Sequence, residues 1–315
     1  MSQMFSMSRM MDGASCRYLW LAKQASLDSE ISYGETQLAK LIGVPVRVHK
    51  TYEGPFTIIG VGPYFFIISS KLLYNVFMSQ KYNVVLLKKE EVAEDTMVFT
   101  IQKPVDFIYK AGQTIDLIIP SSEGNDLSHT FSIITEPNQD HLAVVTRMRD
   151  SEYKNTLKGL EVGANVEIEG PYGSFALHQA VEKTAVFLVG GIGIAPFMGM
   201  LRDAIERKLT HKFYLFYSNR SLQTTAFFEE LNKFADSKDI NFVFVPTMTD
   251  EEIEGDWEGE KGYVTWEMVE KHVTGSEEVV YYMAGPQGMV SAMRTMLNEN
   301  NISEDSIRFE EFSGY

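Results

Sequence analysis

Two rhythms of apolar and polar positions divide most of the chain. Between residues 81 and 176 the apolar positions come in short strand-like runs, at 82–88, 97–102, 115–119, 130–134, 142–147 and 165–169, with turn residues and a polar loop at 121–127 between them. Short strands punctuated this way predict a small antiparallel barrel. One helical run, 152–160, interrupts them. After Ala176 the period changes: strand-like runs at 185–189, 213–217, 241–245 and 279–283 alternate with helical runs near 197–208, 225–236, 265–273 and 287–299. That alternation predicts a parallel sheet with helices on both faces. A last strand is expected at 307–312. The expected architecture is therefore two domains, a small antiparallel β-barrel at 78–180 followed by an α/β parallel-sheet domain at 181–315.

Residues 1–77 follow neither rhythm and read as an N-terminal extension without an assigned role. A short helix fits 24–41, and 45–50 alternates weakly. The apolar run 57–78 is as long as a membrane span, but Pro63 and Lys71 lie inside it, with Gly60 and Gly62 close by. These count against a span. Arg9 and Arg17 among serines fit a targeting segment, which Asp12 interrupts. A further reading makes Met78 the natural start of the protein, with 1–77 as upstream sequence.

Composition narrows the function classes. The 315 residues include one cysteine, Cys16, so neither a disulfide framework nor a four-cysteine iron–sulfur cluster can form within the chain. No metal centre is expected. Net charge is −15, unevenly placed: 7 Lys/Arg against 5 Asp/Glu in residues 1–77 leave 21 against 38 in the remainder, a net −17. That surface argues against nucleic acid and anionic membrane as partners. A cytoplasmic location is expected.

The chain is organised around residues 187–197, Phe-Leu-Val-Gly-Gly-Ile-Gly-Ile-Ala-Pro-Phe. An apolar strand, glycines at 190, 191 and 193, and a helix opened by Pro196 together bring backbone N–H groups up to a phosphate. The dinucleotide fingerprint G-x-G-x-x-G is not matched, because its third glycine falls on Pro196. Proline suits a first helical turn, where its missing N–H is not needed. An ordinary strand-to-helix turn reads equally well from this stretch alone.

Three more segments complete the pattern: His129-Thr130-Phe131-Ser132; Thr146-Arg147-Met148-Arg149-Asp150-Ser151, with Gly170-Pro171-Tyr172-Gly173-Ser174-Phe175 after it; and Met283-Ala284-Gly285-Pro286-Gln287-Gly288-Met289. In this order and spacing the four resemble the ferredoxin–NADP⁺ reductase superfamily of FAD-dependent NAD(P)H oxidoreductases, over about residues 80–315. The resemblance implies a flavin-binding barrel, a nicotinamide-binding α/β domain, and a reaction in the cleft between them. It places the family's Arg-x-Tyr/Phe-Ser motif on His129, Phe131 and Ser132, with Phe131 against the flavin and Ser132 donating towards N5, the atom that accepts hydride. Thr130, Thr146, Met148 and Ser151 fall within the same flavin segments.

The resemblance also carries departures. His129 stands where the family has arginine, and histidine is mostly neutral at pH 7. Arg147, Arg149 and Lys154, or the N-terminus of the 152–160 helix, are candidates for the missing charge. Ala284 stands where many members have a cysteine. Gly190, Gly191, Gly193, Ile194 and Pro196 would hold the nicotinamide cofactor's pyrophosphate, with Ala284, Gly285 and Pro286 beside its nicotinamide end. Ser218 and Arg220, with no acid beside them, favour the 2′-phosphate of NADPH over NADH. Near the C-terminus, Glu310 or Glu311 would relay a proton, and Tyr315 or Phe312 would cover the flavin; a plain core strand with solvated acids is the other reading. The expected function is an oxidoreductase using FAD and NADPH or NADH to supply a separate acceptor, a ferredoxin, flavodoxin or oxygenase component. The alternatives are an NAD(P)H:flavin or quinone reductase, a non-catalytic redox-sensing module, and a membrane-tethered reductase.

Overall fold

A computed structural model of the chain describes residues 46–49, 56–61, 64–69 and 80–315, apart from 122–123, 251–256, 258, 276–277 and 313–315. Tyr315 and the helix expected at 24–41 lie outside the described residues. Met1–Met78 and Ser79–Tyr315 are separate compact units. In the first, β1 (Val46–His49), β2 (Phe56–Val61) and β3 (Tyr64–Ser69) form an antiparallel sheet in the order β1-β2-β3. The apolar run that matched a membrane span in length thus supplies two paired strands, with Val61 opposite Tyr64. Among the described residues no helix is long and apolar enough to cross a membrane.

The second unit opens with the antiparallel strands β4 (Gln80–Ala93), β5 (Thr96–Gln102), β6 (Thr114–Ile119), β7 (Leu127–Ser132) and β8 (His141–Arg147), then helix α1 (Glu152–Gly159) and β9 (Asn165–Tyr172). Their order is β7-β6-β9-β4-β5-β8. A bridge between Ile133 and Val144 joins the two outer strands, closing the sheet into a barrel. Phe99, Ile101, Ile115 and Leu117 fill its interior, each 0 % exposed. Strand β4 is longer than the alternation indicated, because register shifts at Leu86/Lys88 and Glu91/Ala93 break the two-residue period without ending the strand.

The chain then alternates: β10 (Thr184–Gly190), α2 (Ala195–Glu206), β11 (Lys212–Asn219), α3 (Phe228–Asp236), β12 (Asn241–Met248), β13 (Glu260–Lys261), α4 (Trp266–His272), β14 (Val279–Pro286), α5 (Gln287–Glu299) and β15 (Ile307–Phe312). All six strands are parallel, in the order β13-β12-β11-β10-β14-β15. Central β10 is buried along its whole length. Ala185, Phe187 and Val189 pack towards Phe197 and Leu201 of α2, while Val186 and Leu188 face Met268 of α4 and Val290 of α5. Burial on both faces explains why the strand is continuously apolar. Helix α3 starts later than its periodicity suggests, because Phe227 adopts the left-handed region (φ 62°) and cannot continue a helix backwards.

Two features set up the site. Strand order reverses between β10 and β14, the point at which parallel sheets leave a ligand crevice at their carboxyl ends. Helix α2 also lies directly on barrel backbone: a Cβ on Gly199 would stand 2.6 Å from the Ile133 carbonyl oxygen.

Candidate active site between barrel and sheet

The barrel wall of the cleft is the end of β7. Phe131 and Ser132 are buried, while His129 is half-buried and Thr130 exposed. The His129 ring stacks on Phe131 at 4.8 Å and meets the edge of Tyr153 at 5.4 Å. Burial, and secondly the positive charge of Lys154, hold its pKa below the usual histidine value. Both effects favour the neutral form of the ring. The Thr130 hydroxyl donates to the Asp116 carboxylate. Ser132 Oγ is buried and has no hydrogen-bond partner among the described residues.

Beside β7, Thr146 is buried on β8. The sequence's three candidate cations part company here. Arg147 Nη2 donates to the Thr224 carbonyl of the α/β lobe at 3.2 Å, so its guanidinium bridges the lobes, and its Nε is buried without a partner. Arg149 is exposed. Lys154 is 6 % exposed, and its Nζ donates to the Arg147 carbonyl at 2.6 Å. Ser151 caps α1, its Oγ accepting from the Lys154 N–H at 3.3 Å. Met148 packs against the barrel core.

On the sheet side, a 3₁₀ turn, Gly191–Ile194, leads from β10 into α2, with Pro196 in its first turn. The glycines do different work. A Cβ on Gly190 would lie 2.0 Å from Met289 Sδ, and one on Gly193 would lie 2.2 Å from the Ala284 carbonyl oxygen. Their missing side chains let the turn press onto α5 and β14. Only at Gly191 (φ +51°) would a Cβ meet nothing within 4 Å. Ile194 and Ala284 are 0 % exposed, so both serve packing, while Pro286 is exposed. Gly285 holds φ +155°, close to the Gly190 backbone.

Strand β15 runs beside this turn, pairing Ala284 with Glu310, Gly285 with Glu311 and Pro286 with Phe312. Glu310 and Phe312 share a face by strand alternation. Glu310 Oε2 is buried without a partner among the described residues, and burial pushes its pKa up to about 7. Glu311 is exposed. At the end of β11, Ser218 is buried and pairs in register with Gly190, and Arg220 is exposed with no ion pair among the described residues.

One cleft gathers His129, Thr130, Phe131, Ser132, Thr146 and Lys154 from the barrel, and Ile192, Ala195 and Phe312 from the α/β lobe. Arg147, Met148, Arg149, Ser151, Gly190, Gly191, Gly193, Ile194, Pro196, Ser218, Arg220, Ala284, Gly285, Pro286, Glu310 and Glu311 do not line it. Sequence reasoning missed Ile192 and Ala195, whose apolar character gave no signal. It also missed Asn219, whose amide is buried at the end of β11 beside the Tyr217 hydroxyl.

Residues 83–177 match the family described as Oxidoreductase FAD-binding domain, and residues 187–295 match the Oxidoreductase NAD-binding domain. The chain belongs to the oxidoreductase superfamily that pairs these FAD-binding and NAD-binding domains. FAD and a nicotinamide dinucleotide are accordingly its cofactors. Within the superfamily it is similar to the phenol 2-monooxygenase reductase component DmpP of Pseudomonas sp. (strain CF600), 29 % identical over 219 residues, covering 67 % of this chain and 59 % of that protein. It is also similar to the propane 2-monooxygenase reductase component of Mycolicibacterium smegmatis, 28 % identical over 216 residues, covering 67 % and 61 %. The chain thus spans about three-fifths of the length of these curated relatives. The crystal structure of the Amycolatopsis cytochrome P450 reductase GcoB shares the fold, with a TM-score of 0.64, 24 % identity, and coverage of 75 % of this chain and 71 % of that one.

Proposed function

We propose that residues 78–180 bind FAD, that residues 181–315 bind NADPH, and that the pair acts as an oxidoreductase supplying electrons to a separate acceptor, as the reductase component of an oxygenase-type system would. The observation that carries this reading is the pair of buried, partnerless polar atoms, Ser132 Oγ and Glu310 Oε2. Leaving such atoms unmade is costly unless a ligand satisfies them. Both occupy positions where the superfamily meets its flavin.

FAD supplies the acceptor position for hydride and the ability to release electrons singly or in pairs. The protein supplies the rest. Phe131 offers a flat apolar wall, and Ser132 offers one donor at the reacting edge. Glu310, with its pKa about 7, holds a proton it can give up near neutrality. Phe312 excludes water from the open side. Gly191, where a side chain would meet nothing, leaves room for the dinucleotide's phosphates, and Arg220 with Ser218 receives the 2′-phosphate. Dependence on the cell's NAD(P)H pool fits a cytoplasmic enzyme.

The net −17 of these lobes supports a second reading. It would repel an acidic ferredoxin at long range, so an NAD(P)H:flavin or quinone reductase acting on small molecules is the alternative. Anaerobic titration with NADPH and with NADH, followed by a panel of protein and small-molecule acceptors, tests both readings. The expected result is a yellow protein that bleaches stoichiometrically, with NADPH preferred. A protein that stays colourless after incubation with excess FAD would overturn the proposal.

A further inference from the structure

Resting on the flavin reading above, we propose that the phosphate-binding charge of this site has moved from strand β7 to helix α1: Lys154, not His129, anchors the flavin's phosphate. The position that carries arginine in the family motif is here part of an aromatic stack. The His129 ring lies on Phe131 at 4.8 Å and against the Tyr153 edge at 5.4 Å, a packing that needs no charge and suits a neutral imidazole. A neutral ring cannot replace a guanidinium, which is always charged and donates through a two-pronged fork.

Lys154 has the opposite character. It is 6 % exposed, yet it forms no ion pair among the described residues. Among the described residues its ammonium donates to the Arg147 carbonyl alone, at 2.6 Å. The charged groups acting on it are Arg149 and Arg147, both cations. Acids of the same region are hydrogen-bonded elsewhere: the Asp116 carboxylate takes the Thr130 hydroxyl, Asp150 takes the Asn155 amide at 2.9 Å, and Glu152 takes the Ser121 hydroxyl at 3.3 Å. A buried ammonium among cations, with no counter-ion, is a poor structural choice. Leucine or methionine would fill the same place on α1 without that cost. The carbonyl uses one of the three ammonium protons, leaving two for a ligand. Lys154 also lines the same cleft as Phe131 and Ser132. The backbone offers less here, because the Lys154 N–H is already taken by Ser151 Oγ. What the cleft lacks is an anion, and a flavin nucleotide brings one as its phosphate.

Flavin binding to the flavin-free protein, followed by fluorescence with FAD, FMN and riboflavin, tests this directly. Riboflavin has the ring and no phosphate. Lys154→Met should weaken FAD and FMN about 10- to 100-fold, the worth of a charge-assisted hydrogen bond, and leave riboflavin within about 3-fold. His129→Ala should weaken all three alike, because it removes stacking and not charge. Pairing His129→Arg with Lys154→Thr should return most of the FAD affinity. The melting temperature of the flavin-free protein supplies a separate readout: Lys154→Met should raise it, since an uncompensated buried charge is removed, whereas a structural lysine would lower it. The proposal is overturned if Lys154→Met binds FAD as the wild type does, or loses riboflavin as severely as FAD. Failure of the wild type to bind any of the three flavins would instead defeat the flavin reading itself.

Discussion

On the barrel wall of the cleft, Ser132 Oγ and the Lys154 ammonium are buried and short of partners. On the opposing wall, Gly190 and Gly193 are pressed against Met289 and the Ala284 carbonyl, and the one candidate for charge recognition, Arg220, stands in solvent. The first wall holds buried polar groups that a bound ligand would satisfy, which suits a cofactor that stays. The glycine turn of the second is packed on its own backbone and meets its ligand through exposed groups, which suits a dinucleotide that comes and goes; the buried orphan of that lobe, Glu310 Oε2, lies on β15 and not on the turn. Buried orphaned polar groups gain most from a ligand that satisfies them, whereas exposed ones trade water for ligand at small net gain.

The largest effect expected from breaking this comparison is on the self-packed wall. Gly193→Ala places a methyl 2.2 Å from backbone that cannot yield, so the turn must lift off β14. A loss of about 3 kcal/mol or more is expected, within the range for overpacked or strained sites, and denaturant unfolding measures it. Gly191→Ala is the control. Its methyl meets nothing, and the left-handed φ of +51° costs only about 1 kcal/mol. That variant should fold and lose NADPH affinity alone. Equal stability losses in the two variants would erase the distinction drawn between these glycines.

The barrel wall predicts the reverse sign. Ser132→Ala removes a buried hydroxyl with no partner, so the flavin-free protein should gain about 1 kcal/mol, while the rate of flavin reduction by NADPH falls about 100-fold, the usual cost of one lost donor at a reacting atom. Stopped-flow absorbance and thermal melts read the two quantities separately. Glu310 extends the argument to pH. Its folded pKa, about 7, lies above the 4.5 of an unperturbed glutamate, so the folded state holds the proton more tightly than the unfolded state. Stability is therefore greatest below about pH 4.5 as far as this group is concerned, and falls as pH rises towards 7. Glu310→Gln should flatten that slope and stabilise the flavin-free protein at pH 8 by about 1–3 kcal/mol. Unchanged pH dependence would leave Glu310 a solvated acid.

Much of this was legible from the sequence because period and burial are linked. The continuous apolar run of β10 and the alternating runs of the barrel are each what burial on two faces or one face produces. The candidate site was legible in part. His129, Phe131 and Ser132 announced themselves through a motif, and the structure brings them into one cleft with Lys154. Arg147 could not be separated from Lys154 by sequence, since both are cations near the same loop; only the fold sends one to Thr224 and the other inward. The glycines were similarly ambiguous, because a glycine that faces a ligand and one that faces a carbonyl look alike in a string. Ile192 and Ala195 line the cleft through apolar surface that any core residue could supply.

The smallest effect belongs to Arg220. It is exposed, forms no ion pair among the described residues, and follows a buried Ser218 at the end of β11. An exposed guanidinium contributes through a charge-assisted contact that solvent and salt weaken. Arg220→Ala should therefore raise the Kd for NADPH about 10-fold while leaving NADH within about 2-fold, because NADH has a hydroxyl where NADPH has a phosphate. The NADPH effect should shrink as ionic strength rises towards 0.5 M, a dependence that a buried contact such as the one proposed for Lys154 would show more weakly. If both dinucleotides weaken together, Arg220 lies against the adenine and the selectivity of this wall resides elsewhere. If neither changes, the arginine is solvent-facing in the complex as well, and dinucleotide choice rests on the buried end of β11, where Ser218 and the Asn219 amide are the remaining polar groups.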